Sequence, residues 1–255
     1  MTSQKEKAEA FARLHVPGDP VILFNAWDAG TARAVADAGA KAIATGSWSV
    51  AAAHGFFDAE ALPLDLALAN ITRIADHVDL PVTLDFEGGY ANDLATLRTN
   101  IERVIDTGAT GINFEDQIIG GEGMHSVEDQ SARIRVIRET AESRGIPLFI
   151  NARTDVFLKN GPTDHAVHFE EAVTRAVAYA EAGASGIFAP GLKYPELIRQ
   201  FCERSPLPVN IMVMSDTPSN KEMAELGVGR ISYGPGPYRE MMESLTNAAR
   251  LALVP

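Results

Sequence analysis

Acidic side chains stand at the ends of apolar segments of the sequence, where each segment gives way to a loop. Within TLDFEGGYAND, residues 83–93, Asp85 and Glu87 precede a double glycine, and Glu115 and Arg153 end later apolar runs. Carboxylates that are packed together repel one another and raise one another's pKa values. A hard divalent cation removes that conflict, and carboxylates with waters suit Mg2+. The pattern therefore favours a magnesium site beside an arginine.

A second group of polar residues fits the binding of a small anionic substrate. Arg153 can hold a carboxylate in a bidentate fork. The turn TGSW offers a hydroxyl and backbone N–H groups to another carboxylate. This turn consists of Thr45, Gly46, Ser47 and Trp48. Asp58 lies in the longer loop that follows, and Asn210 lies in a later apolar run. A metal, an arginine and a turn of amides together suit a small 2-oxo acid, whose enolate the metal would stabilise.

A regular alternation along the chain predicts the strands and helices that must position these residues. Short runs rich in Val and Ile alternate with amphipathic stretches, and most runs are too apolar for a sheet with one solvated face. The runs begin at Val21, Lys41, Pro81, Thr110, Pro147, Ser185, Pro208 and Gly229. About eight such units in 255 residues predict an α/β fold, a (β/α)8 barrel of TIM type. In that fold, catalytic residues lie at the C-terminal ends of the strands.

We expect one domain over residues 1–255, with an N-terminal helix before a first strand near residue 21. An open doubly wound sheet is the competing fold. It usually carries a G-x-G-x-x-G fingerprint after its first strand, and here the first run leads into NAWDAGTARA instead.

Composition limits the classes of partner. The formal net charge of -12 offers no basic face to nucleic acid or to an anionic membrane, so neither is expected as a partner. No apolar run approaches the length of a membrane span. The single cysteine, Cys202, rules out a disulfide within the chain and a cysteine-based zinc site. It fits a reducing compartment, and we expect a cytoplasmic protein.

Five motifs together carry a resemblance to a known family. They read FNAWDAGTARAVADAGAKAIATGS, PVTLDFEGGY, GINFEDQ, PLFINARTDVFL and PVNIMV, and the similarity runs from about Phe24 to Tyr233. The chain resembles the isocitrate lyase / phosphoenolpyruvate mutase superfamily. The resemblance implies a modified (β/α)8 barrel, Mg2+ with Mn2+ as an alternative, and chemistry on 2-oxo or 2-hydroxy carboxylates through an enolate. It also implies a homo-oligomer, a tetramer or a dimer, often with a helix exchanged between subunits.

The same resemblance implies a role for each candidate residue. The metal side would comprise Asp85, Glu87 and Glu115, with Glu87 standing where the family usually has an aspartate. The substrate side would comprise Gly46, Ser47, Trp48 and Arg153, and the positions of Thr45 and Asn210 at strand ends make them further substrate-binding candidates. Asp58 matches a loop aspartate that is the proposed nucleophile of the phosphonate-forming branch.

The sequence departs from the family at two places. Family lyases carry K-[KR]-C-G-H on a mobile loop, whereas this chain reads GGEGMHS over residues 120–126, with Gly123 at the cysteine position and His125 at the histidine position. Glu122 and His125 are then the candidate acid/base residues. Pro190 stands where many lyases have a glutamate. The chain thus resembles a short, cysteine-less branch.

These observations predict a Mg2+-dependent enzyme, a carbon–carbon lyase or a decarboxylase, that acts on a small 2-oxo or 2-hydroxy carboxylate. One alternative is C–P chemistry of the phosphoenolpyruvate phosphonomutase or phosphonopyruvate hydrolase type, with Asp58 as nucleophile. Another is a 2-oxo acid binding protein that kept the site and lost the catalytic loop residues.

Overall fold

Eight parallel strands form one sheet that curves into a barrel. The structure is a computed structural model that describes residues 2–159 and 165–254. The strands are β1 (Val21–Leu23), β2 (Ile43–Ala44), β3 (Val82–Asp85), β4 (Gly111–Glu115), β5 (Phe149–Arg153), β6 (Gly186–Phe188), β7 (Val209–Met212) and β8 (Arg230–Ser232). Their order is β1-β8-β7-β6-β5-β4-β3-β2. A parallel bridge between Ala26 and Thr45 joins the two edges just beyond β1 and β2. The predicted (β/α)8 barrel is confirmed.

Helices separate the strands and cover the barrel. They are α1 (Gln4–Arg13), α2 (Ala29–Asp37), α3 (Ser47–Ala53), α4 (Leu64–His77), α5 (Leu94–Asp106), α6 (Val127–Ser143), α7 (Val156–Lys159), α8 (Phe169–Glu181), α9 (Pro195–Arg204), α10 (Asn220–Glu225) and α11 (Gly236–Leu253). The short helices α3 and α7 lie within loops that follow strands. None of the described helices is both long and apolar enough to cross a bilayer.

Local chemistry sets the helix ends. The Asp93 carboxylate accepts a hydrogen bond from the backbone N–H of Thr96 at 2.8 Å and so caps the start of α5. After α5, Gly108 adopts φ = +86°, a conformation that L side chains disfavour. The chain therefore turns directly from α5 into β4, and the loops on this side of the barrel stay short.

Helix α1 closes the N-terminal end of the barrel. Phe11 packs in a buried cluster with Val21, Leu23 and Phe149, and the His15 ring stacks on Phe149 with centroids 3.9 Å apart. Burial lowers the pKa of His15 to about 3, so the ring is neutral here. Apolar packing fills this end of the barrel, and the predicted site residues lie at the opposite end, where the strands terminate.

A layer of polar side chains fills the barrel beneath that open end. Asn113 Oδ1 accepts hydrogen bonds from Asn151 Nδ2 at 2.9 Å and from Arg230 Nη2 at 3.0 Å. Both donors fix the orientation of the Asn113 amide, whose Nδ2 then faces Asp85 Oδ1 at 3.4 Å. Burial lowers the pKa of Arg230 to about 9. The layer thus sets the floor on which Asp85 stands.

Candidate active site

Asp85 lies at the centre of the open end, as the last residue of β3. Its Oδ2 accepts a hydrogen bond from the Ser47 backbone N–H at 2.9 Å. Its own N–H donates to Thr45 Oγ1 at 3.0 Å. The turn that the sequence predicted as a carboxylate-binding site therefore holds the carboxylate of Asp85 itself.

Glu87 is buried two residues further on, and protein donors occupy both of its oxygens. Oε2 accepts from the Glu60 backbone N–H at 2.8 Å, and Oε1 accepts from the Tyr90 hydroxyl at 3.2 Å. The Glu60 carboxylate in turn accepts from the Tyr90 backbone N–H at 2.8 Å. Burial, with Asp58 and Asp85 nearby, raises the pKa of Glu87 to about 8. Glu87 therefore ties the loop after β2 to the loop after β3.

Arg153 joins two carboxylates at the ends of β4 and β5. Its Nη1 lies 2.6 Å from Glu115 Oε2. Its Nε and Nη2 donate to the two oxygens of Asp155 at 2.6 and 3.0 Å. Burial raises the pKa of Glu115 to about 9 despite this partner. Burial alone would lower the pKa of Arg153, but Glu115 and Asp155 hold it above its usual value.

Asp116 anchors the loops behind this pair. It is fully buried, and its carboxylate accepts from Arg175 Nη1 at 3.1 Å, from the Tyr179 hydroxyl at 2.9 Å and from the Asp155 backbone N–H at 3.0 Å. Arg175 also donates to the backbone carbonyl of His125 at 3.0 Å. The loop that carries Glu122 and His125 is thus fastened to the same anchor as Asp155.

A cavity of about 160 Å3 opens between these groups. It is lined by Asn25, Gly46, Ser47, Trp48, Ser49, Asp58, Asp85, Asn113, Arg153, Leu158, Phe188, Pro190, Met212, Ser232, Gly234 and Pro235. Six of the predicted residues therefore face one space. We call Asp58, Asp85, Glu87 and Glu115 the acidic cluster.

The other predicted residues lie around or away from this cavity. Thr45 and Glu87 line a much smaller cavity of about 10 Å3 that Asp85 also borders. Glu115 reaches the site through its ion pair with Arg153. Asn210 is buried below, where its Oδ1 accepts from Ser232 Oγ at 3.1 Å. Glu122 is exposed and His125 is half-buried, and neither lines the cavity.

Asp58 reaches the cavity from the loop between α3 and α4. Partial burial of its carboxyl group, together with Asp85, raises its pKa, and a hydrogen bond with the Ser47 side chain opposes that rise. A carboxylate in this position can meet a bound substrate directly.

The structure adds two sets of residues, and of their members the sequence singled out Pro190 alone. Glu60 is one, because it ties the loop that carries Asp58 to Glu87 and Tyr90. The other is an apolar face of the cavity, which we call the apolar wall. It consists of Leu158, Phe188, Pro190 and Met212. In sequence such apolar residues look like ordinary core positions, so only the fold identifies them.

Few carboxylates at the open end are placed to hold a magnesium ion. Over residues 2–159 and 165–254, no group of three or more His, Cys, Asp or Glu side chains is arranged to hold a metal ion. Of the three predicted metal-side carboxylates, only Asp85 lines the larger cavity, and its oxygens also meet the Ser47 N–H and Asn113 Nδ2. Mg2+ keeps several waters and is often bound through one or two carboxylates. The residues therefore fit a Mg2+ ion that Asp85 would hold together with waters.

The sequence matches the family described as phosphoenolpyruvate phosphomutase over residues 11–253. The chain belongs to that family, within the isocitrate lyase / phosphoenolpyruvate mutase superfamily. The predicted resemblance is thereby confirmed.

Individual relatives of the chain include a lyase, a candidate mutase and a hydrolase. A 2-methylisocitrate lyase of Bacillus subtilis (strain 168) is 28% identical over 250 residues, which cover 91% of this chain and 77% of the relative. A candidate phosphonomutase of Burkholderia cenocepacia J2315 is 46% identical, with a TM-score of 0.95 over 98% of this chain and 100% of the other. A phosphonopyruvate hydrolase solved with oxalate and Mg2+ shares the fold, at 22% identity and a TM-score of 0.84, over 98% and 87% of the two chains.

Proposed function

We propose that the chain is a Mg2+-dependent enzyme that acts on a small 2-oxo or 2-hydroxy carboxylate through an enolate, as a carbon–carbon lyase or a decarboxylase. The observation that carries the proposal is the 160 Å3 cavity that Asp85, Arg153 and Ser47 line together. Asp85 would hold the metal, and Glu87 and Glu115 would act on it through water. A bound Mg2+ would supply Lewis-acid stabilisation of the charge that develops on the substrate oxygen.

The chain's own residues would bind and orient the substrate. Three of the five N–H bonds of Arg153 point at Glu115 and Asp155, so two remain for a substrate carboxylate. The hydroxyl of Ser47 lies beside the same cavity. Because Asp155 holds the guanidinium in a fixed plane, Arg153 would position the carboxylate without further ordering. Glu122 and His125 stay candidates for proton transfer, and their loop would have to move toward the cavity.

The first test is a thermal shift with oxalate, with and without Mg2+. Oxalate mimics a planar, chelated enolate, and a ligand that binds only the native state stabilises it by about 2.7 kcal/mol at about a hundred times its Kd. We expect a rise in Tm that requires both Mg2+ and oxalate. The Asp85→Asn variant should lose the rise, and Asp37→Asn, an exposed aspartate on α2, should keep it. No rise in the wild type would contradict the proposal.

A second candidate is C–P chemistry with Asp58 as nucleophile. The observation that favours it is that Asp58 lines the cavity beside Ser47 and Asp85. This hypothesis predicts that the protein turns over phosphonopyruvate. Asp58→Ala should lose that turnover and still bind oxalate. Turnover of an aldol adduct instead would favour the lyase. Binding of oxalate without turnover of either substrate would favour the third reading, a 2-oxo acid binding protein.

The predicted homo-oligomer, a dimer or tetramer, is supported by the outer face of β1. An apolar groove of about 780 Å3 runs along β1 and α2 and includes Ile22 and Phe24. Helix α11 exposes its own apolar side chains, among them Met242 and Leu245. We propose that α11 of a second copy fills the groove.

Light scattering should give a multiple of the chain mass. Ile22→Glu should lower the measured mass, and Leu66→Glu, at an exposed site on α4, should leave it unchanged. A monomeric wild type would overturn this assembly. The predicted cytoplasmic location stays a prediction.

A further inference from the structure

Asn113, in the middle of β4, brings an amide group to the cavity. Its Oδ1 accepts hydrogen bonds from Asn151 Nδ2 and from Arg230 Nη2. Because a guanidinium group can only donate, the Asn113 atom that faces it must be the oxygen. The amide nitrogen is therefore turned away from Arg230 and toward Asp85, where Nδ2 lies 3.4 Å from Oδ1.

This orientation is set by the barrel itself. Asn151 is in register with Asn113 on one side and with Gly186 on the other. A Cβ at Gly186 would lie 2.9 Å from Asn151 Oδ1, so the glycine leaves the space that the Asn151 side chain occupies. The Asn113 amide is thus held in one orientation before any ligand arrives, and a ligand would meet a preorganised donor.

Arg230 places a positive charge beneath that amide. It is 1% exposed, and no carboxylate of the described residues forms an ion pair with it. Its Nη1 has no hydrogen-bond partner among these residues, and neither has Nδ2 of Asn210, which is in register with it on β7. With a pKa of about 9, the guanidinium group is protonated at neutral pH. The interior below the cavity therefore carries a charge that no direct contact neutralises.

That charge bears on how an anionic ligand can approach Asp85. A ligand oxygen between Asp85 and Arg153 would be repelled by the Asp85 carboxylate. Asn113 Nδ2 carries two hydrogens, and among the described residues Asp85 alone accepts from it, over a long distance. A second N–H is therefore left for the ligand. Arg230 polarises the amide through its oxygen, which strengthens the N–H as a donor.

We propose that Asn113 contacts the substrate, with Nδ2 donating a hydrogen bond to the oxygen on C2, and that Arg230 is a positioning residue that orients and polarises this amide. When an enolate forms, negative charge develops on the C2 oxygen, and a donor that is already oriented stabilises it without reorganisation. Asn113 keeps its protons throughout. This inference rests on the proposed function, because it assumes that the substrate binds beside Asp85 and Arg153.

The first test removes the donor. Calorimetry at saturating Mg2+ should give Asn113→Leu a Kd for oxalate that is about 10–100-fold higher than that of the wild type, the range for a hydrogen bond to a charged group. A wild-type Kd in the folded variant would overturn this inference and leave the proposed function standing. A wild type that does not bind oxalate would overturn both.

The second test separates positioning from stability. Arg230→Met should raise the Kd for oxalate by about tenfold, yet its Tm should hold or rise, because the exchange removes an unpaired buried charge. Arg230→Lys keeps the charge and should bind oxalate more tightly than Arg230→Met does. Arg138→Met is the control at a half-buried arginine that donates to the Gly183 carbonyl and the Ser185 hydroxyl, and it should lower Tm without changing the Kd.

A double variant tests whether Arg230 acts through Asn113. Asn113→Leu combined with Arg230→Met should bind oxalate about as well as Asn113→Leu alone, since coupled residues are not additive. Fully additive losses, or an Arg230→Met protein whose Kd equals that of the wild type, would overturn the positioning role. If Arg230→Met fails to fold, Arg230→Gln removes the charge, keeps an N–H donor and should show the same rise in Kd.

Discussion

The two sides of the barrel mouth are held in place by different means. The acidic cluster is fixed by backbone N–H groups and by loops, and the described non-glycine residues with positive φ, Ala59, Glu60, Glu87 and Tyr90, all lie in its two loops. The apolar wall is fixed by packing, on a short helix and on two glycine turns. Unusual backbone conformations of this kind cost about 1–3 kcal/mol each. The acidic side is therefore the strained side.

That difference indicates what each side does. Crowded carboxylates on strained loops lower stability unless a cation joins them, so we expect a bound cation to stabilise the acidic cluster. The apolar wall is stable by itself, and it can only admit or reject a group by its shape and polarity. Changes on the acidic side should abolish binding, and changes on the apolar side should redirect it.

The largest effect is expected from the residue that both loops surround. Asp85→Ala removes the carboxylate that faces the cavity, and activity should fall by more than about 100-fold, because even residues behind a metal ligand typically contribute about 10–100-fold. The fold should persist, since Asp85 is half-buried at a strand end. Steady-state kinetics and circular dichroism measure the two outcomes. Full activity in a folded Asp85→Ala protein would contradict the proposal that Asp85 holds the metal.

The next effect is expected at the boundary between the two sides. Arg153→Lys keeps the charge beside Glu115 and Asp155 but loses the planar fork. Loss of one charge-assisted hydrogen bond to oxalate corresponds to about 1.5–3 kcal/mol, or about 10–100-fold in Kd. Arg98→Lys, at an exposed pair with Glu139 on the outer helices, provides the matched control and should leave Kd unchanged. An unaltered Kd in Arg153→Lys would mean that this arginine only stabilises the loops.

The two sides also differ in how many of their residues and contacts can be predicted from the sequence. The eight strands and the four carboxylates could be predicted, because apolar runs that end in acidic residues show a distinctive pattern. The actual partners could not: the Ser47 amide was expected to bind substrate, and it donates to Asp85. Such a bond depends on two separate loops meeting at about 3 Å, which no local pattern specifies.

On the apolar wall, the sequence does not even identify which residues belong to the site. Phe188 and Met212 lie at strand ends, and a residue there can belong either to the hydrophobic core or to the active site. Because both side chains are apolar, the sequence alone favours a position in the core. Their exposure to the cavity follows from the curvature of the barrel and from turns such as the one at Gly234. The pairing of Glu60 with Tyr90 is equally hidden, since it joins loops 30 residues apart.

A glycine exchange would test the rigidity of the apolar wall. Gly234→Ala should destabilise the protein by about 1–3 kcal/mol through its positive φ, and it should also displace Met212. Gly39→Ala carries the same backbone penalty at φ = +95° but has open space around the added methyl group. Both variants should lose stability in denaturant unfolding, and only Gly234→Ala should change the Kd for oxalate, because Met212 lines the cavity. Equal Kd values in the two variants would mean that Met212 is not held by this turn.

The smallest effect concerns the protonation of the acidic cluster. Because the pKa of Glu87 is about 8 in the folded protein and near 4.5 when unfolded, the folded state binds more protons between these values. Its contribution to stability is therefore complete below about pH 4.5 and is lost as the pH rises through about 8. Without Mg2+, this group should lower the free energy of unfolding by about 1.4 kcal/mol for each pH unit between about pH 4.5 and pH 8, or about 3–5 °C in Tm, and the dependence should level off above about pH 8.

Glu87→Gln isolates this contribution, since the amide oxygen can still accept from the Glu60 backbone N–H. The Tm should therefore vary less between about pH 5 and pH 8 for Glu87→Gln than for the wild type. Added Mg2+ should flatten the wild-type curve too, because a cation favours the ionised carboxylate. If the dependence of Tm on pH is the same in Glu87→Gln as in the wild type, and the same with Mg2+ as without it, its source lies outside the acidic cluster. Charge repulsion would then not be what strains the acidic side of the barrel.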